Sequence, residues 1–280
     1  MRFEWGPAGA AALAPSSSCL VIVDVLSFST SVTVAAEAGT RVYPWWGSRP
    51  EDAAGFAREH RAQLAGGRRS GAPWSLSPAA LRRAPFTPRL VLPSPNGSAI
   101  CAAAVAVAVP TAAAVPAAAA APVAAAAAAP VAAAAGGEAA VIAGCLRNAA
   151  VVGRFLRERD DPGPITVIAA GERWPDGSLR PALEDLLGAG AVLAAVGGAL
   201  SPGTLSPGAT SRWALSPEAE VARACYGATT DVAAAVAGSV SGRELTEDGF
   251  GDDVAIAVEI DSCDLVPILA DGAFTAASGR

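Results

Sequence analysis

The chain has 280 residues, 20 of them basic and 26 acidic, and carries a net charge of −6. That length can bury one large core or two small ones, and the acidic balance gives no sign of a nucleic-acid partner. Every basic residue is Arg, which removes Schiff-base and P-loop lysine chemistry, and five dispersed Cys with no CxxC pair exclude a zinc ribbon, a redox pair or a disulfide framework.

The first 18 residues hold Glu4 and Pro7 and lack a clean apolar core. They do not read as a signal peptide, so the cytoplasm is the expected compartment. Residues 20–23 form an apolar run rich in Val and Ile, too short for a helix, and read as a buried strand. Asp24 follows, then hydroxyls at Ser27, Ser29, Thr30, Ser31 and Thr33 that open a helix ending at Gly39. In α/β sheets ligands bind beyond the carboxyl ends of the strands. A carboxylate there, with hydroxyls and free N–H groups at a helix start, suits a phosphate and its metal ion. The same residues also suit a plain cap and turn.

Ser48 to Glu51 reads as a capping box for a helix reaching about residue 64. His60, the single histidine, lies there among charged residues and is expected at the surface. Residues 66–88 are rich in Gly, Ser, Pro and Arg and read as a long loop; Arg68 and Arg69 are either surface charge or a clamp for an anion. A short strand over 90–92 leads into Asn96–Gly97, a turn that equally suits anion binding, and a helix from about Ala99. Residues 107–137 are Ala/Pro-rich and divided by Pro110, Pro116, Pro122 and Pro130, so they read as a low-complexity insertion, mobile or irregular, rather than a membrane span.

A strand over 140–143 and a helix over 149–158 follow, with Asn148 as a helix cap between them. Next come a strand over 165–169, a polar loop over 171–179 and a helix over 181–196. Acids in the first turn of that helix, Glu184 and Asp185, are favoured by its dipole; they point about 100° apart, so one is expected to face the site. Ser216 starts a further helix, Ser241 to Glu244 reads as a second capping box, Asp252–Asp253 as a helix start, and 265–269 as a last strand. Repeated strand–helix units predict an α/β fold: one domain over 1–280, its sheet largely parallel with helices on both faces.

Several hydrolytic routes are absent. Leu26 stands where DxDx[TV] needs its second acid, no Cys has an Arg six residues on, and one His cannot serve a histidine phosphatase. Neither G-x-x-x-x-G-K-[ST] nor G-x-S-x-G occurs. Metal-assisted attack by water remains.

Five stretches in order, VDVLSFSTSVTV (23–34), SPNGSA (94–99), AGCLRNA (143–149), AAGERWPDGSLRPALEDLLGAG (169–190) and GRELTEDGFGDDV (242–254), resemble the 2-phosphosulfolactate phosphatase family, the ComB-like proteins. The resemblance implies an α/β fold of its own type and Mg²⁺-dependent hydrolysis of the phosphate ester of a small acidic hydroxy acid, in the coenzyme M pathway. It departs at Ser27, where many members carry an Arg suited to phosphate or sulfonate. Arg68, Arg69, Arg173 or Arg243 are candidates to supply that charge. On this reading Asp24 with Glu184 or Asp185 holds Mg²⁺ and serves catalysis. Ser29, Thr30, Asn96, Gly97, Ser98, Asn148, Arg68, Arg173 and Arg243 are the substrate-binding candidates. The expected partner is a small anionic phosphate ester, with no nucleic acid or membrane, and homo-oligomerisation is left open. The alternative is a non-catalytic anion-binding or metabolite-sensing protein with the same pocket.

Overall fold

Residues 1–47, 49–106, 139–160, 163–197 and 213–278 are described by the structure, a computed structural model. The expected insertion at 107–137 lies outside them. The chain begins with β1 (Arg2–Trp5), α1 (Gly6–Leu13), β2 (Cys19–Val23), α2 (Phe28–Glu37), β3 (Arg41–Trp45), α3 (Pro50–Glu59) and β4 (Gln63–Leu64). It continues through α4 (Pro78–Arg83), β5 (Arg89–Pro93), α5 (Gly97–Ala106), β6 (Ala140–Gly144), α6 (Ala149–Glu158) and β7 (Ile165–Ala169). The short pair β8 (Glu172–Arg173) and β9 (Leu179–Arg180) precedes α7 (Leu183–Gly197), α8 (Pro217–Ala228), α9 (Val232–Ala237), α10 (Val240–Glu247) and α11 (Gly251–Ala257). A hairpin, β10 (Leu265–Ala270) and β11 (Ala273–Ser278), closes the described chain.

Nine strands form one sheet in the order β1-β7-β2-β6-β10-β11-β3-β5-β4. The first four are parallel to one another, as are β3, β5 and β4. The antiparallel hairpin β10–β11 joins the two groups, with Ile268 opposite Ile142 and Phe274 opposite Val42. Val23 lies opposite both Gly144 and Ala169, and Trp5 opposite Ala169, so four strands end level on one edge.

Strand β2 is buried on both faces, which is why it reads as an unbroken apolar run. Cys19, Val21 and Val23 pack with Leu156, Leu187, Val192 and Ala222 of α6–α8. Leu20 and Ile22 pack on the other side with Phe28, Leu90, Ile100 and Phe274. The expected α/β sheet with helices on both faces is therefore present. Helix α7 seats closely against its neighbours: a Cβ on Gly188 would come within 2.7 Å of the Val25 side chain, and one on Gly190 within 2.3 Å of the Ala222 carbonyl. This close approach fixes the height of the first turn of α7 beside the end of β2.

Local readings differ in five places. Helix α3 starts at Pro50 with Arg49 at the N-cap and ends at Glu59; Ser48 lies outside the described residues. The cap of α10 is Ser239, whose Oγ accepts the Gly242 N–H at 3.0 Å, so Ser241 and Glu244 sit inside the helix. The loop at 66–88 contains α4, capped by Ser77, and a turn of 3₁₀ helix at Arg68–Ser70. The polar stretch 171–179 is the β8–β9 hairpin, whose Asp176–Gly177 is a hairpin turn signal, with Gly177 at φ +83°. His60 is half-buried, its ring 4.6 Å from Tyr43 and 4.3 Å from Phe56, because α3 turns that edge onto β3.

Candidate functional site

Asp24 follows β2 at the level strand edge. Its Oδ1 accepts the Phe28 N–H and its Oδ2 the Gly97 N–H, each at 2.9 Å. One carboxylate thus joins the first residues of α2 and α5, one from each half of the sheet. Ser94 Oγ also accepts the Gly97 N–H, at 3.1 Å, so the 94–98 turn is held in place before any ligand arrives. Gly97 is required by space: a Cβ there would lie 2.2 Å from the Phe28 ring.

The hydroxyls beside Asp24 build the turn rather than line a pocket. Ser29 Oγ donates to the Ile22 carbonyl, Thr30 Oγ1 to that of Val25 and Ser98 Oγ to that of Leu92, at 2.9, 2.8 and 3.1 Å. All three residues are buried. A strand that turns sharply into a helix leaves carbonyls without ladder partners, and these hydroxyls take them.

The first turn of α7 brings Glu184 and Asp185 to the same edge, both buried. Asp185 is a brace: Oδ1 accepts the Val25 N–H at 2.7 Å and Oδ2 the Gly171 N–H at 2.8 Å. Glu172, just beyond Gly171, accepts from Asn96 Nδ2 at 2.9 Å. Four carboxylates are therefore crowded together, and three of them, Asp24, Asp185 and Glu172, are raised above their usual range. Burial pushes Asp24 up to about 6 from 3.8; Glu184 adds to the rise, while the N–H groups of Phe28 and Gly97 and the charge of Arg68 oppose it. Burial, then repulsion from Asp24 and Glu184, raises Asp185 well above the usual range. Burial and the Asp24 charge take Glu172 up to about 7, against the Asn96 hydrogen bond.

Beside these acids opens a cavity of about 500 Å³ walled by Arg68, Glu172, Arg173, Trp174, Arg180 and Glu244, among others. Arg68 Nε donates to the Leu76 carbonyl at 3.1 Å, its Nη2 donates to Ser27 Oγ, and the guanidinium lies 5.5 Å from the centre of the Phe250 ring. Arg173 donates to the Pro95 carbonyl at 3.2 Å. Arg180 pairs with Glu244 at 3.0 Å and lies over Trp174.

The structure thus gathers Asp24, Asn96, Gly97, Glu184, Asp185, Arg68 and Arg173. It places Asn148 and Arg243 elsewhere. Asn148 accepts the Cys145 N–H and donates to the carbonyls of Ala143 and Leu265, tying the end of β6 to β10. Arg243 is exposed and donates to the Gly238 carbonyl at the end of α9. Sequence reading passed over two participants, Glu172 and Arg180. Glu172 repeats the signal that drew attention to Asp24, a carboxylate soon after the end of an apolar strand. Arg180 becomes visible only once the hairpin sets it opposite Glu172.

Among the described residues no group of three His, Cys, Asp or Glu is arranged to hold a metal ion. The donor chemistry nevertheless fits Mg²⁺: every candidate ligand is a hard carboxylate oxygen, and the crowding of acids is what a divalent cation relieves.

Fold and site define an α/β protein with an acidic cluster and a guanidinium-walled cavity at the carboxyl edge of its sheet. The chain belongs to the 2-phosphosulpholactate phosphatase family, whose model matches residues 127–272, just over half of the sequence. The matched stretch contains Glu172, Arg173, Arg180, Glu184, Asp185 and Asp253, and leaves Asp24, Arg68 and Asn96–Ser98 to its N-terminal side. No curated protein matches the chain. Among the described residues no helix is long and apolar enough to cross a membrane.

Proposed function

We propose that the protein is a Mg²⁺-dependent phosphatase acting on the phosphate ester of a small acidic hydroxy acid, of the 2-phosphosulfolactate type. The observation that carries this reading is Asp24, a buried carboxylate pinned by two N–H groups from opposite halves of the sheet, with three more acids and the charge of Arg68 beside it. Asp24 and Glu184 would hold the cation, with Asp185 setting the position of both loops. When bound, Mg²⁺ neutralises negative charge on the phosphoryl oxygens and among the carboxylates.

Arg68, Arg173 and Arg180 bind the anionic groups of the ester and stabilise charge on the transferring phosphoryl group. Three guanidiniums on one cavity wall, two of which also face acids (Arg68–Asp253 and Arg180–Glu244), offer places for a second acid group beside the phosphate. Glu172, at the cavity wall, takes the proton of the attacking water; a carboxyl that titrates near neutrality is poised for that role. Asn96 orients it.

The test is phosphate release from 2-phosphosulfolactate, 2-phospholactate and unrelated monoesters, with EDTA and with added Mg²⁺. The expected result is release from the small acidic esters that stops with EDTA and returns with Mg²⁺. Anion binding without Mg²⁺-dependent release from any ester would make the protein a sensor.

A further inference from the structure

Asp253 is almost wholly buried, 1% exposed, yet is not one of the four acids of the cluster that holds Asp24. It projects from the first turn of α11 onto the start of α4. Its Oδ1 accepts from Ser77 Oγ at 2.5 Å and from the Ala79 N–H at 3.0 Å. Its Oδ2 has no hydrogen-bond partner and lies 3.1 Å from Arg68 Nε, whose hydrogen is aimed at the Leu76 carbonyl. One oxygen therefore anchors the helix, and the other offers only charge to the guanidinium.

We propose that Asp253 is a positioning residue for Arg68: it fixes the Nε side of the guanidinium by charge, so that Nη2 stays at Ser27 and Arg68 keeps its place on the cavity wall. Arg68 stands on a turn of 3₁₀ helix with no buried residue of its own, and a long side chain there samples many rotamers. Three holds remove that freedom, namely Asp253 on one side, the Leu76 carbonyl along the edge and the Phe250 ring beside the plane. A buried ion pair contributes little to net stability, because desolvation offsets the attraction, but it does set orientation. An oriented guanidinium presents two N–H groups to an anion without reorganising, which is where affinity is gained.

The kinetic arm of the test rests on the phosphatase reading, whereas the binding arm does not. Asp253→Asn keeps an acceptor for Ser77 and Ala79 and removes the charge beside Arg68. Titration calorimetry with inorganic phosphate and Mg²⁺ should show roughly tenfold weaker binding, a part of what a charge-assisted contact supplies. With substrate, KM should rise by a similar factor while kcat changes less. In an Arg68→Ala background the same substitution should change neither quantity further, since the contact it serves is gone.

If Asp253→Asn leaves phosphate affinity unchanged, or lowers it equally with and without Arg68, the positioning role is wrong whatever the enzyme hydrolyses. If the coupling appears but no ester is hydrolysed, the positioning role stands and the phosphatase reading falls. If the parent protein binds no phosphate, both fall. Should Asp253→Asn not fold, Asp253→Glu keeps the charge but displaces it by one methylene, and phosphate affinity should still drop only where Arg68 is present.

Discussion

Replacing Asp24 by Asn tests the site at its most constrained atoms. The carboxylate accepts two N–H groups, from Phe28 and Gly97. An amide offers one acceptor, so its Nδ2 must face the other N–H. Leaving a buried donor unpaired costs about 1–3 kcal/mol. Against this stands the burden of the charge. A carboxyl raised from 3.8 to about 6 makes the folded state bind more protons than the unfolded state between those values. Its contribution to stability is therefore most favourable below about 3.8 and declines as pH rises to about 6. Above that the penalty is constant, and two pKa units correspond to ~3 kcal/mol. Asn does not carry this penalty. At pH 7.5 without metal the two effects nearly cancel, and the variant should lie within ~2 kcal/mol of the parent. At pH 4 the parent is protonated, most of the relief vanishes, and the variant should be the less stable by about 1–3 kcal/mol. Urea denaturation at both pH values in EDTA measures this. Mg²⁺ should raise the melting temperature of the parent and not of the variant, and kcat/KM of the variant should fall at least ~100-fold. Near-parental turnover at saturating Mg²⁺ would refute the site, and a metal-free loss above ~4 kcal/mol at pH 7.5 would refute the charge reasoning.

Three further outcomes are expected. Gly97→Ala drives a Cβ into the Phe28 ring, which packs edge-on against Phe274; overpacking of that kind should cost about 1–3 kcal/mol in urea denaturation and lower turnover by shifting the N–H from Asp24. In the parent, kcat/KM should increase with pH as Glu172 ionises, at or below its metal-free value of about 7; Glu172→Gln should flatten that limb in a pH–rate profile and retain Mg²⁺-dependent stabilisation. Arg180→Ala should raise KM roughly tenfold for an ester with a second acid group and little for a simple monoester, with stability nearly unchanged because its partner Glu244 is largely exposed.

What the sequence disclosed follows periodicity and position. β2 is legible because burial on both faces demands an unbroken apolar run, and Asp24 because a charge that ends such a run must be satisfied. The second capping box misled because Ser241 and Ser239 both precede a helix-forming stretch, and only backbone geometry chooses between them. The hydroxyls of Ser29 and Thr30 were legible as a cluster, but their use was not, since it depends on where the strand-to-helix turn leaves its carbonyls. Glu172 and Arg180 meet through a hairpin, and Asp253 reaches Arg68 across 185 residues of chain. Contacts of that kind carry no local pattern.

The hairpin β10–β11 also bears on when this protein becomes functional. It sits between two groups of parallel strands and is made after all of them, while Asp24 and Gly97 come from opposite groups. Each group can gather helices as it leaves the ribosome, but the sheet is continuous only once residues 265–278 have been synthesised. Such late, long-range pairing slows folding and exposes unpaired strand edges meanwhile. Chains released before this hairpin is made would then be two adhesive halves, with the acids around Asp24 parted from the Asn96–Gly97 turn, and prone to associate through β6 and β3.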